Sequence, residues 1–110
     1  MTKLKIKNAL ISLTDKNKIE IVAKKLKELD INIISTGGTA KYLKSHSIDV
    51  IDITEITNFP EILDGRVKSL HPKIFGGILY RRNNENDLKT IDSLKIESID
   101  LVIVNLYKFD

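Results

Sequence analysis

Hydroxyl residues and glycines stand together at positions 35–39, where Ser35, Thr36, Gly37, Gly38 and Thr39 follow an apolar run. Glycine lets the backbone turn tightly and approach a ligand closely. Free N–H groups at a helix start favour an anion, and the hydroxyls add donors for phosphate oxygens. The spacing is neither a Walker A loop nor a dinucleotide fingerprint. The segment therefore predicts a phosphate site, with a plain strand-to-helix turn capped by Ser or Thr as the alternative.

A second polar turn follows the first apolar run and contains Ser12, Thr14, Asp15 and Lys16. In a parallel sheet, ligands bind beyond the carboxyl ends of the strands, so this turn and residues 35–39 are expected at one edge. Lys16 would place a positive charge near a bound phosphate. The alternative is that Thr14 or Asp15 caps the following helix and Lys16 is solvated.

The densest polar cluster spans residues 65–72 and contains Arg66, Lys68 and His71. In an extended segment Arg66 and Lys68 share a side, because the strand period is two. Arg66 could bind a phosphate or carboxylate in a bidentate manner. Lys68 could stabilise charge or transfer a proton if burial or neighbouring cations lower its pKa. His71 suits an acid, a base or a structural position before Pro72, and the whole basic run also suits a solvated surface.

Tyr107 follows the last apolar run and would also lie at the carboxyl edge of a parallel sheet. Its hydroxyl could donate a hydrogen bond to a developing oxyanion. The alternative is a tyrosine at the edge of the core with its hydroxyl in water.

Elements that could position these residues alternate along the chain. Apolar, β-branched runs at 9–13, 31–34, 48–53 and 101–106 predict strands, and helical spacing predicts helices at 16–29, at 38–44, from Pro72 onward and near 85–94. This alternation indicates an α/β fold with three layers, a mainly parallel sheet covered by helices on both faces. Gly76 and Gly77 inside a helix each cost roughly 1 kcal/mol and predict close packing. The last strand would expose apolar surface unless an earlier helix, or more chain, covers it.

The bulk composition excludes several classes of protein. The 110 residues suit one domain, residues 1–110, and the net charge of +3 is spread among mixed charges with few aromatics, which argues against nucleic-acid binding. No apolar stretch is long enough to span a membrane, and no secretory signal is evident. With no cysteine, disulfides, thiolate zinc sites and thiol nucleophiles are excluded, and a cytoplasmic location is expected.

These segments, taken in order, resemble one known family. They are Ser12 to Lys16, Ile34 to Lys41, Phe59 to Ile74, Gly76-Gly77 and Asn105-Leu106-Tyr107. Their order is that of IMP cyclohydrolase, the N-terminal half of the bifunctional AICAR transformylase/IMP cyclohydrolase of purine biosynthesis. The resemblance runs from about Asn8 to Asp110, and the run from Phe59 to Pro72 carries it most specifically.

The resemblance implies a methylglyoxal-synthase-like fold and the closure of FAICAR, the formylated carboxamide ribotide, to IMP with loss of water. It implies no metal or organic cofactor, and a homodimer. The residues implied to bind the phosphate and ribose end are Ser12, Thr14, Lys16, Thr36, Gly37, Gly38 and Thr39. Those implied around the base are Arg66, Lys68 and Ser69, with Lys68 and Tyr107 near the reacting atoms.

Two other functions remain open on the sequence. One is a non-catalytic, nucleotide-binding regulatory module of the same fold, as in carbamoyl-phosphate synthetase. The other is methylglyoxal synthase, whose expected Thr-Gly-Thr-Thr-Gly loop is Ser-Thr-Gly-Gly-Thr here. The family's cyclohydrolase unit is longer than this chain, and we expect a truncated domain that binds nucleotide and lacks turnover in isolation.

Overall fold

A computed structural model describes residues 5–13, 18–58 and 71–105, and the structural statements below concern these residues. Its strands are β1 (Asn8–Ser12), β2 (Asn32–Ser35), β3 (Ile51–Asp52) and β4 (Leu101–Val104). Its helices are α1 (Ile19–Glu28), α2 (Gly37–Ser45), α3 (Ile53–Thr57), α4 (Pro72–Leu79) and α5 (Glu85–Ser93). Within these ranges, no helix has the length and apolar character needed to cross a membrane.

The strands form one parallel sheet in the order β3-β2-β1-β4. Leu10 in the middle of β1 is in register with Ile34 of β2 and with Val102 of β4. The parallel sheet predicted from the short β-branched runs is therefore confirmed.

Helices cover both faces of this sheet, which gives the three layers predicted from the sequence. Alternate strand residues face opposite sides, since side chains on a strand have a period of two. One face packs on α1 and α2 through a buried cluster that includes Ala9, Ile11, Ile33, Ala23 and Leu43. The other face packs on α3 and α4 through Leu10, Ile34, Ile53, Ile74 and Ile99.

The last strand is covered on one face only by the described residues. Leu101 and Ile103 pack against the cluster under α1 and α2. Val102 and Val104 point to the opposite face, the face of Leu10, and are 42% and 60% exposed. The sequence predicts that either an earlier helix or more chain covers this strand. Earlier helices cover the face of Leu101 and Ile103.

The third apolar run is mostly not a strand, contrary to the prediction for residues 48–53. β3 contains only Ile51 and Asp52. Asp52 then caps α3, because its carboxylate accepts hydrogen bonds from the Thr54 N–H at 3.0 Å and from the Thr54 hydroxyl at 2.8 Å. Ile48 is buried in the core under α1 and α2 without belonging to a strand. The apolar side chain of Ile48 is therefore explained by burial and does not indicate a strand.

The first helix begins later than its predicted start at residue 16. It starts at Ile19, after Lys18 in a left-handed conformation with φ of 65° and no side-chain cap bond. The predicted caps, Thr14 and Asp15, lie outside the described residues. The apolar residues Ile19, Ala23 and Leu26, which gave the helical spacing in the sequence, are the buried residues of α1, and Ile19 is its first residue.

The paired glycines of α4 lie where the helix meets neighbouring chain, as the sequence predicted. A Cβ on Gly77 would collide with the carbonyl oxygen of Glu97 and would lie 3.3 Å from Ile99 Cγ1. A Cβ on Gly76 would lie 3.3 Å from the end of the Ile96 side chain. The amide of Ile99 donates to the Gly77 carbonyl at 2.9 Å. Gly77 therefore lets α4 approach the segment leading into β4.

An ion pair joins α4, β1 and β4 at the amino edge of the sheet. Arg82 Nη1 donates to Asp100 Oδ1 at 2.9 Å, and Nη2 donates to the carbonyls of Gly77 at 3.1 Å and Ile99 at 2.8 Å. The second oxygen of Asp100 accepts from the amide of Asn8 at 3.2 Å. The Asp100 side chain is 3% exposed, so the pair is largely removed from water on the carboxylate side.

Candidate functional site

The carboxyl ends of β1 and β2 lie side by side and form the edge where the sequence predicts a phosphate site. Ile11 is in register with Ser35, so Ser12 lies next to Thr36. Ser12 is also in register with Val104 at the end of β4. The predicted residues that the structure brings together at this edge, called the rim below, are Ser12, Ser35, Thr36, Gly37, Gly38 and Thr39.

The strand order reverses at β1, which is where a parallel sheet opens a crevice for a ligand. The chain passes from β1 through α1 to β2 and through α2 to β3 on one side of β1. It returns through α4 and α5 to β4 on the other side of β1. Ser12, the last residue of β1, therefore lies at the point where the order of the strands in the sheet reverses.

Three sets of hydroxyl hydrogen bonds tie the end of β1 to the segment that starts α2. The Oγ of Ser12 and the Oγ1 of Thr36 are 3.0 Å apart. The hydroxyl of Ser35 donates to the carbonyl of Ile11 at 2.9 Å. The Oγ1 of Thr39 accepts from the amide of Leu13 and donates to its carbonyl, both at 3.2 Å.

The start of α2 lies at this edge. Thr36 is the N-cap residue, with extended backbone, but its side chain makes no cap bond because its hydroxyl lies against Ser12. Its carbonyl accepts from the amide of Ala40 at 2.7 Å, which closes the first helical turn. The first N–H groups of any α-helix have no partner within the helix, and Gly38 in that turn is exposed. The helix dipole adds positive potential at the same place.

His71 has a local structural role. It is the N-cap residue of α4, and its Nδ1 accepts a hydrogen bond from the Lys73 amide at 3.1 Å. Pro72 occupies the first helical turn, as predicted. The sequence left open an acid–base role and a structural role for His71. The described contacts show the structural role.

The remaining predicted site residues lie outside the described part of the chain. They are Thr14, Lys16, Arg66, Lys68, Ser69 and Tyr107. Sequence reasoning also missed a participant that is described: Leu13 contributes its main-chain N–H and carbonyl to the rim. No side-chain pattern signals such a contribution, because the groups involved belong to every residue.

A separate open depression of about 720 Å³ lies between the ends of α1 and α2. These helix ends are at the amino edge of the sheet, away from the rim. The charged and titratable residues that line it carry both signs, namely Lys24, Lys27, Glu28, His46 and Asp49. With acids and bases mixed in an open surface, this depression shows no preference for an anion.

The sequence profile of the MGS-like domain family matches residues 18–110. That range covers most of the chain. This chain belongs to the MGS-like domain family.

Relatives of this MGS-like domain are named bifunctional purine biosynthesis protein PurH. The protein of Petrotoga mobilis is 60% identical over 104 residues, which cover 94% of this chain and 20% of the relative. That of Caldicellulosiruptor saccharolyticus is 58% identical over 103 residues, and that of Clostridioides difficile strain 630 is 56% identical over 104 residues, each with the same two coverages. The chain matches the N-terminal region of PurH and spans about a fifth of the length of these curated relatives.

A solved structure shares the fold. The crystal structure of ForH aligns with a TM-score of 0.85 and 34% identity, covering 96% of this chain and 55% of that one. The MGS-like fold implied by the family resemblance is thus confirmed.

Proposed function

We propose that this MGS-like domain is the front part of an IMP cyclohydrolase unit and that it acts on a purine nucleotide, closing FAICAR to IMP with loss of water. The observation that carries the proposal is the 60% identity to a purine biosynthesis protein across 94% of the chain. The rim at the ends of β1 and β2 supports it with a place for the nucleotide's phosphate.

The rim supplies the phosphate anchor in this proposal. The Ser12 and Thr36 hydroxyls, the exposed backbone of Gly38 and the positive end of α2 face the same edge. Thr14 and Lys16 follow β1 in the chain and complete the anchor by their match to the family. Anchoring the non-reacting phosphate holds the reacting groups together and lowers the entropic part of the barrier.

The chemical step needs proton transfer and charge stabilisation. The carboxamide nitrogen attacks the formyl carbon, an oxyanion develops on the former formyl oxygen, and that oxygen leaves as water after protonation. By their match to the family motif, Arg66 and Ser69 bind the base side, and Lys68 and Tyr107 lie near the reacting atoms. No metal or organic cofactor takes part in this scheme.

The unit acts, on this proposal, as a homodimer in the cytoplasm. Because the chain spans a fifth of its curated relatives, we propose that it binds the nucleotide and requires further residues of such a protein for turnover.

Calorimetric titration of the 110-residue chain tests the ligand class. We expect binding of IMP and weaker or no binding of dihydroxyacetone phosphate, because a purine nucleotide engages the base side as well as the rim. Binding of dihydroxyacetone phosphate more tightly than IMP would favour methylglyoxal synthase and reject the proposal.

Turnover tests the chemistry in a full-length protein that carries this chain as its first segment. We expect Lys68→Ala to abolish conversion of FAICAR to IMP, whereas Lys73→Ala, a nearby exposed lysine in α4, keeps it. Undiminished turnover by the Lys68 variant rejects its assigned role. IMP binding with no turnover, even in the full-length protein, would instead identify a regulatory nucleotide-binding module.

A further inference from the structure

The apolar side chains of β4 do not specify the register of this strand on β1. A slip of one residue turns every side chain to the opposite face, and it is resisted where apolar and polar residues alternate. β4 lacks this alternation, because all four residues from Leu101 to Val104 are apolar. In a slipped strand, Val102 and Val104 would replace Leu101 and Ile103 on the cluster under α1 and α2. Another interaction must therefore set the register.

Asp100 supplies an interaction that is specific to the observed register, in which it lies opposite Asn8. The Asp100 amide donates to the Asn8 carbonyl at 2.9 Å. In return, the Oδ2 of Asp100 accepts from the amides of Lys7 at 2.8 Å and Asn8 at 3.2 Å. A slip of one residue would place Ile99 or Leu101 opposite Asn8, and neither side chain has an acceptor for these amides.

Further contacts make a slip unfavourable. Arg82 Nη1 donates to Asp100 Oδ1 at 2.9 Å and Nη2 donates to the Gly77 carbonyl at 3.1 Å, which ties Asp100 to α4. The side-chain amide of Asn8 donates to the carbonyl of Ser98 at 2.7 Å. The side chain of Asp100 is 3% exposed and Asn8 is 5% exposed, so a slip would leave buried polar groups without partners. Fixing a register is the best-attested use of such buried groups.

We propose that the Arg82–Asp100 pair is a register lock, which selects one alignment of β4 on β1 and so positions the carboxyl end of β4 at the rim. In this alignment Val104 lies next to Ser12. Tyr107 follows Val104 by three residues, and a slip of one residue would move the start of that segment by about 3.3 Å along the strand. The consequence for Tyr107 rests on the proposed function, whereas the lock itself does not.

A double variant of the 110-residue chain, Arg82→Met with Asp100→Leu, tests the lock because it removes both charges and leaves neither unpaired. Apolar replacement of a whole buried pair is often neutral for stability, so we expect this variant to fold. We expect NMR to show a second set of β4 signals, with methyl contacts from Val102 to the cluster under α1 and α2. Arg81→Met with Asp87→Leu, the same change at a neighbouring exposed pair, is the matched control and should keep one set.

A rescue variant separates a role in register from a role in stability. Adding Val102→Thr and Val104→Thr to the double variant makes β4 alternate, so that a slip would bury two hydroxyls. We expect the second set of signals to disappear although the ion pair is still missing. A single set of β4 signals in the double variant, in the register of the wild type, would overturn the lock. Failure of both variants to fold would assign the pair to stability alone and overturn it as well.

Turnover tests the consequence for Tyr107 in a full-length protein that carries this chain as its first segment. We expect the double variant to lower kcat for FAICAR several-fold and to change KM less, because the Ser12–Thr36 contact joins β1 to α2 without β4. The two threonine substitutions should restore kcat. An unchanged kcat would overturn the positioning of Tyr107. If the wild type does not convert FAICAR, the proposed function fails, and the NMR result decides the lock independently.

Discussion

The side-chain oxygens of Ser12 and Thr36 lie 3.0 Å apart across the carboxyl ends of two neighbouring strands. The contact joins the last residue of β1 to the residue that starts α2. Because of this contact, the Thr36 hydroxyl does not cap α2, although an N-cap threonine normally accepts a hydrogen bond from an amide of its own helix. The start of α2 therefore has no cap bond from the Thr36 side chain, at the place where the strand order reverses.

Ser12→Ala should weaken IMP binding by about tenfold, because a hydrogen bond to a charged group contributes roughly 1.5–3 kcal/mol and Thr36 keeps part of it. Calorimetry measures the change. Ser45→Ala at the far end of α2 is the matched control, since its exposed hydroxyl bonds to Tyr42 and His46 at its own helix end. Equal affinity of the Ser12 variant and the control would remove Ser12 from the site.

Two neighbouring arginines should differ in their contribution to stability. Arg82→Met leaves the buried Asp100 carboxylate without its positively charged partner and should lower the free energy of unfolding by about 2–3 kcal/mol. Arg81→Met removes a pair with Asp87 in which the arginine is 68% exposed, and should cost less than about 1 kcal/mol. Urea denaturation measures both. Equal losses would show that burial of the Arg82 pair is unimportant.

The carboxyl of Asp100 should make the stability depend on pH. Burial raises its pKa, but the amides of Lys7 and Asn8, the Ser98 hydroxyl and Arg82 outweigh that effect and leave its pKa below the usual range. A carboxyl with a lowered folded-state pKa stabilises the protein above its unfolded pKa of about 3.9, and this contribution is lost as the pH falls through the folded value.

Asp100→Asn should therefore lower the free energy of unfolding more at pH 7 than at pH 3. Urea denaturation at the two pH values measures the difference. An equal loss at both would mean that the ionised carboxylate adds nothing to the fold.

The two glycines of α4 should respond differently to a methyl group. Gly77→Ala forces a Cβ against the Glu97 carbonyl and should cost about 1–3 kcal/mol. Gly76→Ala meets the side chains of Ile96 and Ile91 rather than backbone, with the nearest contact 3.3 Å from Ile96 Cδ1, and gains helix propensity of up to about 1 kcal/mol, so its net effect should be small. Thermal or urea denaturation compares them, and a neutral Gly77→Ala would contradict the tight approach of α4.

The sequence predicted most of the fold because buried β-branched runs and helical spacing are strong, local signals. α2 and α5 lie within a residue or so of their predicted ranges, and α4 begins at Pro72 as predicted. The failures came from interactions that compete with these patterns. Asp52 caps a helix where the apolar alternation continued to indicate strand, and Ile48 is buried outside any strand.

The location of the candidate site was predictable for a topological reason, since the carboxyl ends of parallel strands share one edge. Ser12 and Thr36 meet there as expected. The direction of each hydrogen bond was not predictable. The side chains of Ser35 and Thr39 bond to main-chain groups of β1 and the residue after it, and residue types do not reveal such partners.

Mapping amide chemical-shift changes while the 110-residue chain is titrated with IMP tests the central claim most directly. Binding at the rim predicts that the largest changes fall on Ser12, Leu13 and the first turn of α2, with little change at Lys24, Lys27 and His46 in the depression at the opposite edge. Changes concentrated in that depression, with the rim unaffected, would contradict the account.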